Sequence, residues 1–495
     1  MSLGTIPNDI LLPLVYIDID NSQANSGTPA LSQKVLVIGQ QLSTGQATPL
    51  TLSRITTSES KMDELYGKGA MLSSELKTFR KNNQYTDVYA LGVSDFEGTA
   101  AKCEIVVAAS VAKSGILYLL IAGKSVQVLV REGDDAQAIA AAIVANIQNV
   151  KSNQHLPITA ALKSGATDTV ELTCKWKGIT GNDIDIRVNY YDGEVLPGGV
   201  TLTIKTMTGG QGSPDMNAIV AAIPDEWFNH MVTPYNDTQS MNALRDELMN
   251  RWGPLKMIEG IAYTAHRGTF AETGAYGQSR NDFLFTCMGT NRSPHAPWEF
   301  GAAYCAQASY SLGIDPARPL QTLVLRGLLP PAKNDQWDNT ERNLLLRDGI
   351  ATYMVTPGNE IAIEREVSMY RLNSYGDPDP SYLDITTPAT LGYMRYSLKT
   401  MVTNRFPRHK LAGDDVLDLL DPAQPVVTPK IMRNTIIELA TTDWVPKGLL
   451  EDLAGFKDTL NVYRDTSDKN RLNCVFNPNI VNQFRVFAAL QQFKL

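Results

Sequence analysis

Val35-Leu36-Val37-Ile38-Gly39 is a short, unbroken apolar run. A strand with one wet face alternates apolar and polar residues, whereas a run without alternation suits a strand covered on both faces. Helical periodicity follows around residues 73–82, and Asp87-Val88-Tyr89-Ala90-Leu91 reads as the next strand. The same rhythm returns after residue 213. Ser213-Pro214-Asp215 reads as a helix start, with Ser as cap and Pro in the first turn. Residues 227–232, 257–263 and 283–288 read as strands, and 238–251 and 270–279 as helices. Repeated β-α units of this kind predict a mostly parallel sheet covered by helices, an α/β core.

Between the two α/β stretches the texture changes. From about residue 98 to 212 there are β-branched runs at 104–108, 126–130, 169–173, 184–188 and 199–205, separated by Gly, Asp and Pro turn signals. One Ala-rich helix, 135–148, interrupts them. This reads as a β-rich domain inserted into a surface loop of the α/β core, where insertions are tolerated. A third region, α+β in character, begins near Gly376-Asp377-Pro378. Its helix at 390–405 carries Leu391, Met394, Leu398, Met401 and Val402 on one face.

Both ends have the character of strands without local partners. Leu14 to Asp20 alternates, with Val15, Ile17 and Ile19 on one face and Tyr16 on the other, before an Asn/Ser/Gly/Pro linker at 21–29. The tail has a strand from Leu472, a break at Asn477-Pro478-Asn479, and a second strand-like run at 483–488 with Phe484, Val486 and Phe487, followed by Leu490. A lone strand cannot satisfy its own backbone groups, so each must pair with something distant. The reading divides the chain at 1–30, 31–97, 98–212, 213–375, 376–476 and 477–495.

The 495 residues exceed one ordinary core, and 43% apolar with 19% charged residues is a globular composition. Net charge is −8, so the surface as a whole is no nucleic-acid binder. The five Cys (Cys103, Cys174, Cys287, Cys305 and Cys474) form no CxxC pair and read as scattered thiols. Neither a signal peptide nor an 18-residue apolar run is present, which predicts folding in a cytoplasm and no membrane insertion.

Chemistry-bearing motifs are missing: no phosphate-cradling GxxxxGK[ST], no GxGxxG after a strand, no HExxH, no GxSxG. The reading therefore assigns no catalytic, metal or cofactor-binding residue and no cofactor. Asp183, Asp185 and Asp192 gather acids without EF-hand spacing, and Arg187 offers them simple charge pairing. His266 follows a strand, where parallel-sheet enzymes keep functional groups, and Asp225 or Asp282 with Ser279 or Ser293 would complete a hydrolase triad. A hydrogen-bonded loop histidine is the favoured reading, since the triad rests on fold analogy alone. From Ile385 to Gly413 there is no acid, while Arg395, Lys399, Arg405, Arg408 and Lys410 are basic. Such a helix can dock an acidic partner or simply balance acids elsewhere in its own fold. Few aromatics interleave, which argues against nucleic acid.

The stretch Glu360-Ile361-Ala362-Ile363-Glu364-Arg365-Glu366-Val367-Ser368-Met369-Tyr370-Arg371, with Ser381-Tyr382-Leu383-Asp384-Ile385 after it, resembles the sheath proteins of contractile phage tails. Pro13-Leu14-Val15-Tyr16-Ile17-Asp18-Ile19 is similar to that family's N-terminal arm. Over nearly the whole chain and in length the resemblance is to the sheaths of Mu-like phages. It implies a non-enzymatic subunit that stacks around a tail tube, with a subtilisin-like shaped core, a variable inserted outer domain and a tube-proximal C-terminal domain. It also implies strand exchange between subunits through both arms, and contraction that drives the tube through the host envelope without nucleotide hydrolysis. The implied partners are further copies of the chain, the tail tube protein, and baseplate and tail terminator proteins. The implied place is the virion, with assembly in the host cytoplasm.

On that reading Val15, Tyr16, Ile17 and Ile19 are the N-terminal arm contacts, and Phe484, Val486, Phe487 and Leu490 the C-terminal ones. Arg395, Lys399, Arg405, Arg408 and Lys410 are the candidate tube-facing residues. Two alternatives differ from it: a serine hydrolase on a subtilisin-like domain, and the sheath of a bacterial contractile injection system.

Overall fold

The computed structural model describes residues 31–149, 155–419, 421 and 424–494. The N-terminal arm residues Val15, Tyr16, Ile17 and Ile19 lie outside them. The described chain forms two compact units: a larger one from 32–392 with 482–494, and a smaller one from 393–481.

The larger unit is a mixed α/β structure. Its main sheet has six strands in the order Phe285–Gly289, Ile261–His266, His230–Val232, Lys34–Gln40, Asp87–Val93 and Leu52–Arg54. The first five are mutually parallel and the last is antiparallel. In Lys34–Gln40 the period-2 geometry of a strand sends Val35 and Val37 into one apolar cluster and Leu36 and Ile38 into another, all four fully buried. Helices Met71–Asn82 and Pro297–Ile314 cover the first face with Leu72, Leu76, Phe79, Phe300 and Ala303. Helices Met216–Ala221 and Thr238–Trp252 cover the other with Met216, Met241, Leu244 and Leu248.

Local chemistry sets the helix starts. Asp237 caps Thr238–Trp252 by accepting from Ser240 N at 3.0 Å. Thr269 and Glu272 form a reciprocal capping box on Phe270–Gln278. One start differs from the sequence reading: the cap is Asp215, which accepts from Asn217 N at 3.0 Å, so Ser213 and Pro214 precede the helix.

The chain leaves this sheet near residue 98 and returns near 212 through hydrogen-bonded neighbours, Thr99 bridging Gln211 and Lys102 bridging Thr208. Between these points lie a four-stranded antiparallel sheet (Val200–Ile204, Lys102–Ala109, Ala166–Cys174, Ile158–Lys163) and a three-stranded one (Lys124–Val130, Gly115–Ile121, Ile186–Val188). They enclose Ile105, Val107, Leu117, Leu119, Val126 and Val128 with helix Ala136–Ile147.

The smaller unit is built around Trp444, Phe456 and Phe476, whose ring centroids lie 5.8–6.3 Å apart. Trp444 Nε1 donates to Ser397 Oγ at 2.8 Å, tying the aromatic core to the helix Thr386–Arg405. Helix Pro429–Leu439 and the hairpin Asn461–Arg464 with Leu472–Val475 complete it. No helix among the described residues is long and apolar enough to cross a membrane.

Candidate assembly surfaces

Residues 482–494 form no strand and pair with no ladder among the described residues. A ladder needs a second backbone, and within this chain the segment is held by its side chains. Alternate positions differ sharply. Gln483 and Arg485 turn toward the larger unit, while Phe484, Val486, Phe487 and Leu490 are 73–86% exposed. Phe493 is exposed as well. Five large apolar side chains thus lie on solvent within ten residues.

The seat under Arg485 is built from the strand Ile361–Arg365 and its continuation. Val367 pairs antiparallel with Asp384, and Ile385 N donates to Glu366 O at 3.2 Å. This pairing aligns Arg365 with Asp384: Nε donates to Oδ1 at 2.9 Å and Nη2 to Oδ2 at 3.0 Å. The double contact raises the pKa of Arg365 further, against the cost of burial. Glu366 is wholly buried, and Leu320 N donates to its Oε1 at 3.1 Å. Arg485 supplies the rest, Nη1 donating to Glu366 Oε2 at 3.1 Å and Nη2 to Oε1, with Asp384 Oδ1 3.5 Å away. Gln483 Nε2 donates to Thr386 Oγ1 beside them. Two guanidinium groups thus face two carboxylates. Removing one partner of such a buried pair costs about 3–5 kcal/mol, because the other charge is stranded away from water.

Sequence reading missed Arg485, Glu366 and Gln483 as contact residues. The available signal was the polar alternation of 483 and 485 in an apolar tail.

The basic segment is heterogeneous, and Arg408 and Lys410 lie beyond the end of the helix at Arg405. Arg405 makes a two-pronged ion pair with Glu438 at 2.7 and 2.9 Å. Lys410 donates to Gln424 at 2.8 Å. Lys399 and Arg408 are exposed, and Arg395 is half-buried. In the same unit, the edges of the hairpin Asn461–Arg464 with Leu472–Val475 pair with no third strand among the described residues. The ribbon packs on helix Pro429–Leu439 and leaves its outer edges open.

The residues weighed as a hydrolase triad have other engagements. His266 stacks on Tyr276 at 4.4 Å, and burial lowers its pKa to about 4. Asp282 pairs with Arg280 at 2.6 Å and Asp225 with Lys256 at 2.7 Å. Ser279 Oγ donates to Tyr276 O at 2.6 Å and Ser293 Oγ to Leu329 O at 2.7 Å. Of the three inserted-domain acids, Asp185 sits between Arg187 and Arg267 at 2.5 and 2.6 Å. Burial pushes Asp183 up to about 7, and Asp192 is exposed.

Three family models match the chain: the phage tail sheath protein beta-sandwich domain over residues 97–201, the phage tail sheath protein central domain over 209–369, and the phage tail sheath C-terminal domain over 377–494. The Mu-like prophage FluMu tail sheath protein of Haemophilus influenzae is 40% identical over 496 residues, covering 100% of both chains. Among solved structures, the sheath tail protein of Desulfitobacterium hafniense superposes with a TM-score of 0.47 at 11% identity, over 94% of this chain and 100% of that one. The contracted helical sheath of the anti-feeding prophage gives 0.45 at 11% identity, over 98% and 99%. With an exposed apolar tail on a charged seat, a full-length relative and three domain models in register, the chain belongs to the phage tail sheath proteins, the structural subunits of contractile tails.

Proposed function

We propose that copies of this chain polymerise around a tail tube and that contraction of the polymer drives the tube through a host cell envelope. The observation that carries the reading is the row Phe484, Val486, Phe487 and Leu490, exposed in the single chain and covered by nothing among its described residues. Burying apolar surface stabilises by about 25 cal/mol per Å², so such a row favours association with another copy. The open edges of the two-stranded ribbon at 461–464 and 472–475 offer a place for an added strand. On this reading the N-terminal residues Val15, Tyr16, Ile17 and Ile19 supply such a strand to a neighbour.

The finer parts of the proposal are these. The core at 31–97 and 213–375 has a subtilisin-like shape and no catalytic role, 98–212 is the outer domain, and 376–476 lies nearest the tube. Lys399, Arg408 and Lys410, with Arg395 and Arg405, face the tube. Baseplate and tail terminator proteins bound the polymer at its two ends. Assembly takes place in the host cytoplasm and the product is part of the virion. The driving energy is that of a metastable extended state.

Negative-stain electron microscopy of the purified chain, alone and with a tail tube protein, tests this beside a variant lacking residues 1–20. Hollow tubes that vanish in the truncated variant are the expected result. Monomers under all conditions, with tube protein present, would overturn it.

A further inference from the structure

We infer that Arg485 is a fixed anchor: the side chains of Gln483 and Arg485 stay clasped on Glu366, Asp384 and Thr386 of their own chain when subunits assemble, and the outward Phe484 and the tail beyond Arg485 dock on a second copy. The inference rests on the assembly reading above for the identity of that second copy. Its own ground is the seat. Glu366 is wholly buried, and apart from the Leu320 amide its hydrogen bonds come from Arg485. A carboxylate that cannot reach water keeps its counter-charge. Gln483 reinforces the clasp from both sides, donating to Thr386 and accepting from Arg485 Nη2 at 2.8 Å. Thr386 is itself fully buried, so the base of the tail is joined to core residues.

An anchor divides the tail into two parts with different tasks. Up to Arg485 the inward side chains are polar and engaged; beyond it Val486, Phe487, Leu490 and Phe493 are exposed. Phe493 lies eight residues past Arg485. A fully extended chain advances about 3.3–3.6 Å per residue, so the receiving surface on the second copy lies within about 28 Å of the seat. Keeping the base at home fixes where each tail starts and leaves its apolar end free to follow a neighbour that moves.

The test compares Arg485→Met, Glu366→Met and the double variant, since an apolar pair of similar volume replaces a buried ion pair with little loss. In the monomer, limited proteolysis within residues 486–494 should accelerate at least tenfold in each single variant and return toward the starting rate in the double. Assembly should fall in each single variant and recover in the double. Mixing the two single variants should give no recovery, because each seat and its anchor then mismatch within one chain. Recovery on mixing would mean that bases are exchanged between copies, and would overturn the anchor. So would unchanged proteolysis in the single variants, or a double variant as impaired as the singles. If the unmodified chain never polymerises, the assembly reading fails, and the proteolysis of the monomer still decides the clasp.

Discussion

Arg365 and Asp384 face each other with both guanidinium donors on both carboxylate oxygens, at 2.9 and 3.0 Å, across two segments that lie 19 residues apart. The pair does more than join its own segments. It holds Asp384 within 3.5 Å of Arg485, so the geometry of the seat depends on it. Both side chains are mostly buried, Arg365 somewhat less. Arg365→Ala should therefore destabilise by about 2–3 kcal/mol, at or just below the range for a fully buried pair. Arg365→Lys should lose about half of that, keeping the charge and losing the fork. Denaturant unfolding of the three proteins side by side checks the ordering, and equal loss in both variants would contradict it.

A second prediction concerns pH. Glu75 is fully buried, neither carboxylate oxygen has a hydrogen-bond partner among the described residues, and one occupies the space a side chain at Gly39 would need. Burial, with Glu299 nearby, holds its pKa well above the ordinary value. An acid whose folded pKa is raised costs nothing below its unfolded pKa near 4.5 and penalises the fold as pH rises from there toward the folded value. Glu75→Gln removes that penalty. The variant should match the parent near pH 4.5 and gain at least about 1 kcal/mol at pH 8, or roughly 1 °C in Tm for a unit of this size. Thermal melts at the two pH values decide it, and an equal shift at both would refute the assignment.

These two cases show which parts of the molecule were legible beforehand. Val35 to Ile38 read as a strand covered on both faces because an unbroken apolar run has few other meanings, and the four side chains divide between two buried clusters. Asp215 illustrates a local ambiguity: Ser213 and Asp215 both make good caps, and only the fold chooses between them. The seat was illegible for a different reason. Arg485 and Glu366 are separated by 119 residues, and no periodicity links two charges across that distance. The tail read as a strand because its side chains do alternate; what alternation cannot reveal is whether a partner strand lies in the same chain. Residues Glu364 to Val367 entered through family resemblance alone, and their physical reason, a strand that aligns two ion pairs, is visible only in the fold.

The basic segment from Arg395 to Lys410 gives a prediction that separates stability from assembly. Arg405 and Glu438 form an exposed pair, and such pairs contribute about 0–1 kcal/mol. Arg405→Ala should thus leave the unfolding midpoint nearly unchanged. If the segment faces a tail tube, the combined change Lys399→Glu, Arg408→Glu and Lys410→Glu should keep the fold and abolish assembly on the tube. Raised salt should weaken the parent's assembly in the same direction, since exposed charges are screened within about 8–10 Å at ordinary ionic strength. Cosedimentation with tube protein across a salt series measures it. Salt-independent assembly by the triple variant would remove these residues from the tube-facing role.

The exposed row of the tail separates folding from association most cleanly. Phe484, Val486, Phe487 and Leu490 each lie largely in solvent, so replacing all four with Ser removes little that the single chain buries. Monomer stability should change by less than about 1 kcal/mol, as for surface substitutions generally. Association should respond steeply. If each side chain buries about 100 Å² on a second copy, four of them contribute on the order of 10 kcal/mol before the entropy of docking is subtracted. Sedimentation velocity should then show monomer at concentrations where the parent polymerises, while circular dichroism and the unfolding midpoint stay fixed. A quadruple variant that polymerises like the parent would mean that the row remains on solvent in the sheath, and that copies are joined through other surfaces.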